Sequence, residues 1–112
     1  MVDRPMKTLQ LTSGERLRLD RQRFHMTCTE QAALLDIPVR RLREQDACTS
    51  DPMPAPLAPN EWCRVLRERA GLTLHQLSEM TGLGVPWINR AERGRLRPEQ
   101  LDVLVQFWER QP

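Results

Sequence analysis

The stretch TLHQLSEMTGLGVPWINRAERG, Thr73 to Gly94, decides the fold. Both ends carry helical patterning, while the middle holds Gly82, Gly84 and Pro86, enough to break any helix. A helix, a sharp turn at Gly82 and a second helix laid across the first make a helix-turn-helix, whose second helix can enter a DNA major groove. Gly82 supplies the positive φ that a residue with a Cβ adopts only at a cost. Leu77, Leu83 and Ile88 are expected to pack the two helices together, with Ser78 small where the backbones approach. Pro86 is tolerated because first-turn N–H groups have no intrahelical partner.

The flanks extend the helical pattern. Glu61–Ala70 reads as a helix with Trp62, Cys63, Leu66 and Ala70 inward, ended by Gly71 in a left-handed cap. Thr73 and Gln76 form a capping box for the next helix. Val85–Arg93 follows, ended by Gly94, and Pro98 opens a last helix through Arg110. The motif LRERAGLTLHQLSEMTGLGVPWINRAERG, followed by that Pro98-started helix, resembles the Cro/CI (Xre-type) helix-turn-helix family of bacterial and phage repressors. The shared pattern is Arg67, Gly71-Leu72-Thr73, Gly82-Leu83, and Ile88, Glu92 and Gly94. The resemblance implies a five-helix, lambda-repressor-like domain over residues 60–112 that binds double-stranded DNA. It also implies a partly buried ion pair between Arg67 and Glu92. Leu74 departs from the family's phosphate-bonding Gln, and Thr81 from an inner aliphatic residue.

Upstream, residues 1–10 read as a loose arm. Ser13 is expected to cap a helix from Glu15 to Phe24 with Leu17 inward, and Thr27 and Glu30 make a second capping box. Ala32, Leu35 and Ile37 follow on the inner side, and Val39–Asp46 makes a short helix around Leu42, restarted at Pro38. Sliding the sequence on itself by 46 positions matches Leu11 with Leu57, Glu15 with Glu61, Thr27 with Thr73 and Val39 with Val85. Arg18, Arg21 and Arg23 meet Arg64, Arg67 and Arg69, and Ile37, Leu42 and Asp46 meet Leu83, Ile88 and Glu92. Residues 11–47 are therefore expected to form a divergent second helix-turn-helix unit, with Arg21 and Asp46 as its ion pair. Asp20 and Gln31 stand where apolar residues are usual, and Asp36 replaces the turn glycine. Between the units, residues 48–59 carry four prolines and read as a semi-stiff linker. Polyproline-like geometry lets a dozen residues span up to ~35 Å, close to the ~34 Å of one duplex turn. Compact docking of the halves is equally compatible. The expected fold class is all-α.

The net charge of +2 is too small to argue for nucleic acid by itself. All but one of the 17 basic residues are arginine, however, and they cluster. Family contacts carried onto the second unit fall on Val85, Pro86, Asn89 and Arg90. Asn89 suits adenine, Arg90 guanine and Val85 a thymine methyl. Arg93, Arg95 and Arg97 suit backbone phosphates, which fix register without reading sequence. On the first unit Arg40, Arg41, Arg43 and Glu44 occupy the corresponding face, with a solvated surface as the alternative. Trp87 has two readings, donor to a phosphate or cover for the core. In the last helix, Leu101, Leu104, Val105 and Trp108 make one stripe, and Val103 and Phe107 lie nearly opposite, pointing to a homodimer contact or to packing on the first unit.

No nucleophile–base set, phosphate loop or carboxylate pair appears, so an enzyme is not expected. No cofactor is expected either, and His25 with Cys28 lacks the second pair a metal site needs. The three unpaired cysteines and the lack of a signal peptide or bilayer-length apolar run lead to an expected cytoplasmic location. The expected function is a sequence-specific DNA-binding transcriptional regulator, a repressor or autoregulator. The alternative is an antitoxin that neutralises a partner protein and autoregulates its operon.

Overall fold

A computed structural model describes residues 6–111; the first half of the expected N-terminal arm, residues 1–5, lies outside them. Among the described residues there are two strands and seven helices: β1 (Lys7–Leu11), α1 (Ser13–Phe24), α2 (Cys28–Leu35), α3 (Val39–Asp46), β2 (Met53–Leu57), α4 (Pro59–Arg69), α5 (Leu74–Thr81), α6 (Val85–Glu92) and α7 (Pro98–Glu109). The strand bounds 7–11 recur as 53–57, and the helices at 28–35 and 39–46 recur as 74–81 and 85–92, a constant spacing of 46.

The all-α expectation needs correction, because β1 and β2 pair as a two-stranded sheet. Part of the expected arm and part of the expected linker are thus strand. The prolines of MPAPL explain both the expectation and its failure. Pro54 and Pro56 are two apart, so both missing N–H groups fall on one lateral edge of the strand. The N–H groups of Ala55 and Leu57 point to the other edge, which remains competent to pair. Leu11 and Leu57, the last residues of their strands, are fully buried.

The chain divides into two compact units, residues 8–55 and residues 56 onward with the start of β1. In the first, α3 packs on α1 and α2. Thr12, rather than Ser13, caps α1: its hydroxyl accepts from the Glu15 N–H at 3.2 Å, and Glu15 accepts from the Thr12 N–H at 3.0 Å. Thr27 and Glu30 repeat this box on α2. The left-handed caps are His25 (φ 53°) and Asp36 (φ 55°). The core is Leu11, Leu19, Ala32 and Leu42 with the buried amide of Gln31. Leu17 is only half-buried, and Leu35, expected inside, faces solvent. Asp20 is exposed, so its polarity costs nothing. Gln31 is satisfied: Arg21 Nη1 donates to its Oε1 at 2.7 Å, and its Nε2 donates to the Leu17 carbonyl at 3.1 Å.

In the second unit α4 packs on α7 and α6, α5 on α6, and α6 on α7. Among the described residues this unit has four helices, not the five expected. α4 begins at Pro59, earlier than Glu61, because proline loses nothing at a first helical position. Trp62, Cys63, Leu77, Ile88, Leu104 and Val105 form the core, while Ala70 lies outside it, on the surface. Lys7 places its ammonium 4.7 Å from the Trp62 ring centroid.

Candidate nucleic-acid interface

The turn between α5 and α6 is fixed by three side-chain and backbone devices. Gly82 takes φ 77° and closes α5 by donating its N–H to the Ser78 carbonyl at 2.9 Å. The Ser78 hydroxyl donates to the Leu83 carbonyl, so its value is a hydrogen bond as well as small size. Thr81 donates to the Leu77 carbonyl at 2.8 Å and accepts from the Leu83 N–H at 3.2 Å. A hydroxyl therefore serves the turn where the family pattern has an aliphatic residue.

The far end of α6 is clamped to α4. Arg67 Nε donates to Glu92 Oε2 at 2.8 Å and Nη2 to Oε1 at 2.9 Å, the parallel two-bond geometry that makes Arg–carboxylate pairs strong. Nη1 donates to the Leu72 carbonyl at 2.9 Å, so one guanidinium ties α4, the loop before α5 and the end of α6. Asn60 Nδ2 adds a bond to the Glu92 carbonyl at 3.1 Å. Sequence reasoning missed Asn60, although the 46-residue spacing aligns it with Gly14, whose backbone abuts the Asp46 carbonyl in the first unit. Burial, and then the nearby Glu92 charge, push the Cys63 thiol well above its ordinary range.

With Ile88, Ala91 and Glu92 buried, the opposite side of α6 faces outward. Pro86 and Arg90 are exposed, and Val85, Trp87 and Asn89 are half-buried. Trp87 thus lies at the margin of the core rather than within it. Arg93, Arg95 and Arg97 are exposed around Gly94, which takes φ 74°. Among the described residues no ion pair engages Arg90, Arg93, Arg95 or Arg97, so this end of the unit carries uncompensated positive charge.

In the first unit Arg21 binds Asp46 through two bonds of 2.9 and 2.8 Å, and Arg18 donates to the Asp46 carbonyl. Leu42 is buried, and Arg40, Arg41, Arg43 and Glu44 are all exposed. On α7, Val103 is 52% exposed. Phe107 is half-buried and stacks edge-on against Trp108 at 5.1 Å. Both line a shallow groove of about 260 Å³ with Met80 and Leu83.

Residues 64–108 match the family model of a helix-turn-helix domain, wholly within the second unit. No curated protein and no solved structure matches the chain. The second unit is therefore a helix-turn-helix domain, a class whose usual partner is DNA and whose members are typically non-enzymatic regulators. Among the described residues no helix is long and apolar enough to cross a membrane.

Proposed function

We propose that the protein is a sequence-specific double-stranded DNA-binding regulator that reads the major groove with α6 and represses by occluding its operator. The observation that carries this reading is the division of α6. Its inner side is locked by Ile88 and the Glu92 clamp, while Pro86, Asn89 and Arg90 face outward with no side-chain partner among the described residues. A rigidly held helix with free polar ends is what base readout requires. Asn89 pairs with adenine, Arg90 with guanine, and Val85 touches a thymine methyl, while Arg93, Arg95 and Arg97 hold phosphates. The first unit is a divergent helix-turn-helix in which Asp36 makes the turn and α3 stands for α6. Footprinting on DNA upstream of the protein's own gene, at two salt concentrations, tests the reading. A discrete footprint for the parent, lost in Arg90→Ala, is expected; an unchanged footprint in that variant refutes readout by α6.

A second reading, an antitoxin that binds a partner protein, draws on the exposed Phe24, Leu34 and Leu35 of the first unit. Apolar side chains grouped on one small unit suit a protein partner. Coexpression with the product of an adjacent gene tests it: growth rescue lost in Leu34→Glu supports it, and no rescue by the parent rejects it.

A further inference from the structure

We infer that one chain reads an asymmetric operator made of two unlike blocks, one per unit; this rests on the DNA-binding reading above. The constant spacing of 46 sets α3 in the first unit where α6 stands in the second. Two features fix the rotation of both helices alike about their axes, and a third repeats in the helix before each. Leu42 and Ile88, at the same register, are fully buried. Asp46 and Glu92, the last residue of each helix, are each gripped through two bonds by an arginine of the first helix of their own unit. Thr27 and Thr73 cap the preceding helices in the same box. With the inner registers equivalent, the outer registers are equivalent too. Position 43 faces outward as position 89 does, and 44 as 90 does.

The chemistry at those positions differs. The first unit presents Arg43 and Glu44, and the second Asn89 and Arg90. Arg43 and Glu44 are exposed with no side-chain partner among the described residues. Arginine reads guanine through O6 and N7, and a carboxylate accepts from the cytosine amino group. A role confined to the phosphate backbone fits Arg43 but not Glu44, which phosphates repel. At a base edge the two are compatible, and they specify G and C, whereas Asn89 and Arg90 specify A and G. Dimeric readers of palindromes present the same helix twice. Here the two faces are unlike and belong to one chain, so the operator has no need of two-fold symmetry.

The test is selection of binding sites from a random duplex library with the full chain, followed by the variants Arg43→Ala/Glu44→Ala and Asn89→Ala/Arg90→Ala. All four residues lie outside the core, and far-UV circular dichroism checks that each variant folds. The parent is expected to select two non-identical blocks and to bind with one chain per duplex by native mass spectrometry. The first variant is expected to lose base preference only in the G/C-bearing block, the second only in the other, with affinity falling roughly tenfold to a hundredfold per lost bidentate pair. A single block, a palindrome bound by two chains, or an unchanged motif in Arg43→Ala/Glu44→Ala overturns the inference while leaving DNA binding standing. Selection of no motif by the parent overturns both.

Discussion

Removing the Glu92 carboxylate is the sharpest test of how α6 is held. Glu92 is 4% exposed and takes two bonds from Arg67, whose side chain is 13% exposed. In Glu92→Ala the guanidinium keeps its bond to the Leu72 carbonyl but loses its counter-charge. Stripping one partner from a fully buried pair costs about 3–5 kcal/mol. The partial exposure of Arg67 puts the expected loss near the lower end, about 3 kcal/mol. For a unit of this size each kcal/mol moves the melting temperature by roughly 4–8 °C, so a fall of at least ~12 °C is expected. All three tryptophans, Trp62, Trp87 and Trp108, lie in the second unit, so their fluorescence reports its unfolding specifically. Glu79→Ala is the control. That carboxylate is 69% exposed and meets His75 at 3.1 Å on the surface, where a pair contributes at most about 1 kcal/mol. Replacing both members of the clamp, Arg67→Met with Glu92→Leu, should recover most of the loss, since an apolar pair leaves no stranded charge. Equal midpoints for Glu92→Ala and Glu79→Ala would falsify the clamp.

Other substitutions probe single devices. Thr81→Val keeps shape but deprives the half-buried Leu83 N–H of its acceptor, and about 1–2 kcal/mol of stability should go; a neutral result by urea titration would mean that water replaces the hydroxyl. In Gly14→Ala the new methyl would lie inside contact distance of the Asp46 and Cys48 carbonyl oxygens, both backbone atoms. Overpacking of that kind costs about 1–3 kcal/mol or more, so a clear drop in the far-UV melting temperature is expected, and an unchanged one contradicts the close approach. Cysteine labelling at neutral pH should be fast at Cys48, whose thiol is held low by the hydroxyls of Ser13 and Ser50. It should be blocked at Cys63, where burial favours the neutral form. Because the folded Cys63 pKa is raised, its contribution to stability is intact below the ordinary thiol range and falls as pH rises above about 9. Early labelling of Cys63 in the native protein would contradict its burial.

The helices were legible because their punctuation is chemical. Thr27–Glu30 and Thr73–Gln76 announce two starts, and Gly71, Gly82 and Gly94 announce three stops. The sheet was not legible, since MPAPL shows prolines and no alternation, and only the lateral direction of its remaining N–H groups lets it pair. Leu35 was misplaced because α2 ends there, and a helix terminus escapes the inner stripe even when the spacing fits. Of the outward face of α6, the positions could be read from the motif. The bonds that hold the helix, from Asn60 and from Arg67 to a loop carbonyl, join residues distant in sequence and leave no local pattern.

The two units solve the same turns with different residues, and this gives a quantitative consequence. Where the second unit has Gly71 (φ 71°) and Gly82 (φ 77°), the first has His25 (φ 53°) and Asp36 (φ 55°). A side chain in the left-handed region costs roughly 1–2 kcal/mol, less for Asp because its short polar group tolerates that region. Glycine removes the strain but enlarges the unfolded ensemble, at about 0.4–1 kcal/mol. The balance for His25→Gly is a gain of about 0.5–1 kcal/mol, and for Asp36→Gly a gain nearer zero. His25 is exposed and no ion pair engages it among the described residues, so nothing else is lost with it. The converse change, Gly82→Ala, has no steric clash to meet, because nothing lies within 4 Å of the added carbon. Its expected loss of about 1 kcal/mol is backbone strain with little else in it. Urea titrations followed by circular dichroism for the first unit and by tryptophan fluorescence for the second give the three signs. Should His25→Gly destabilise the protein as much as Gly82→Ala does, the caps are not physical equivalents.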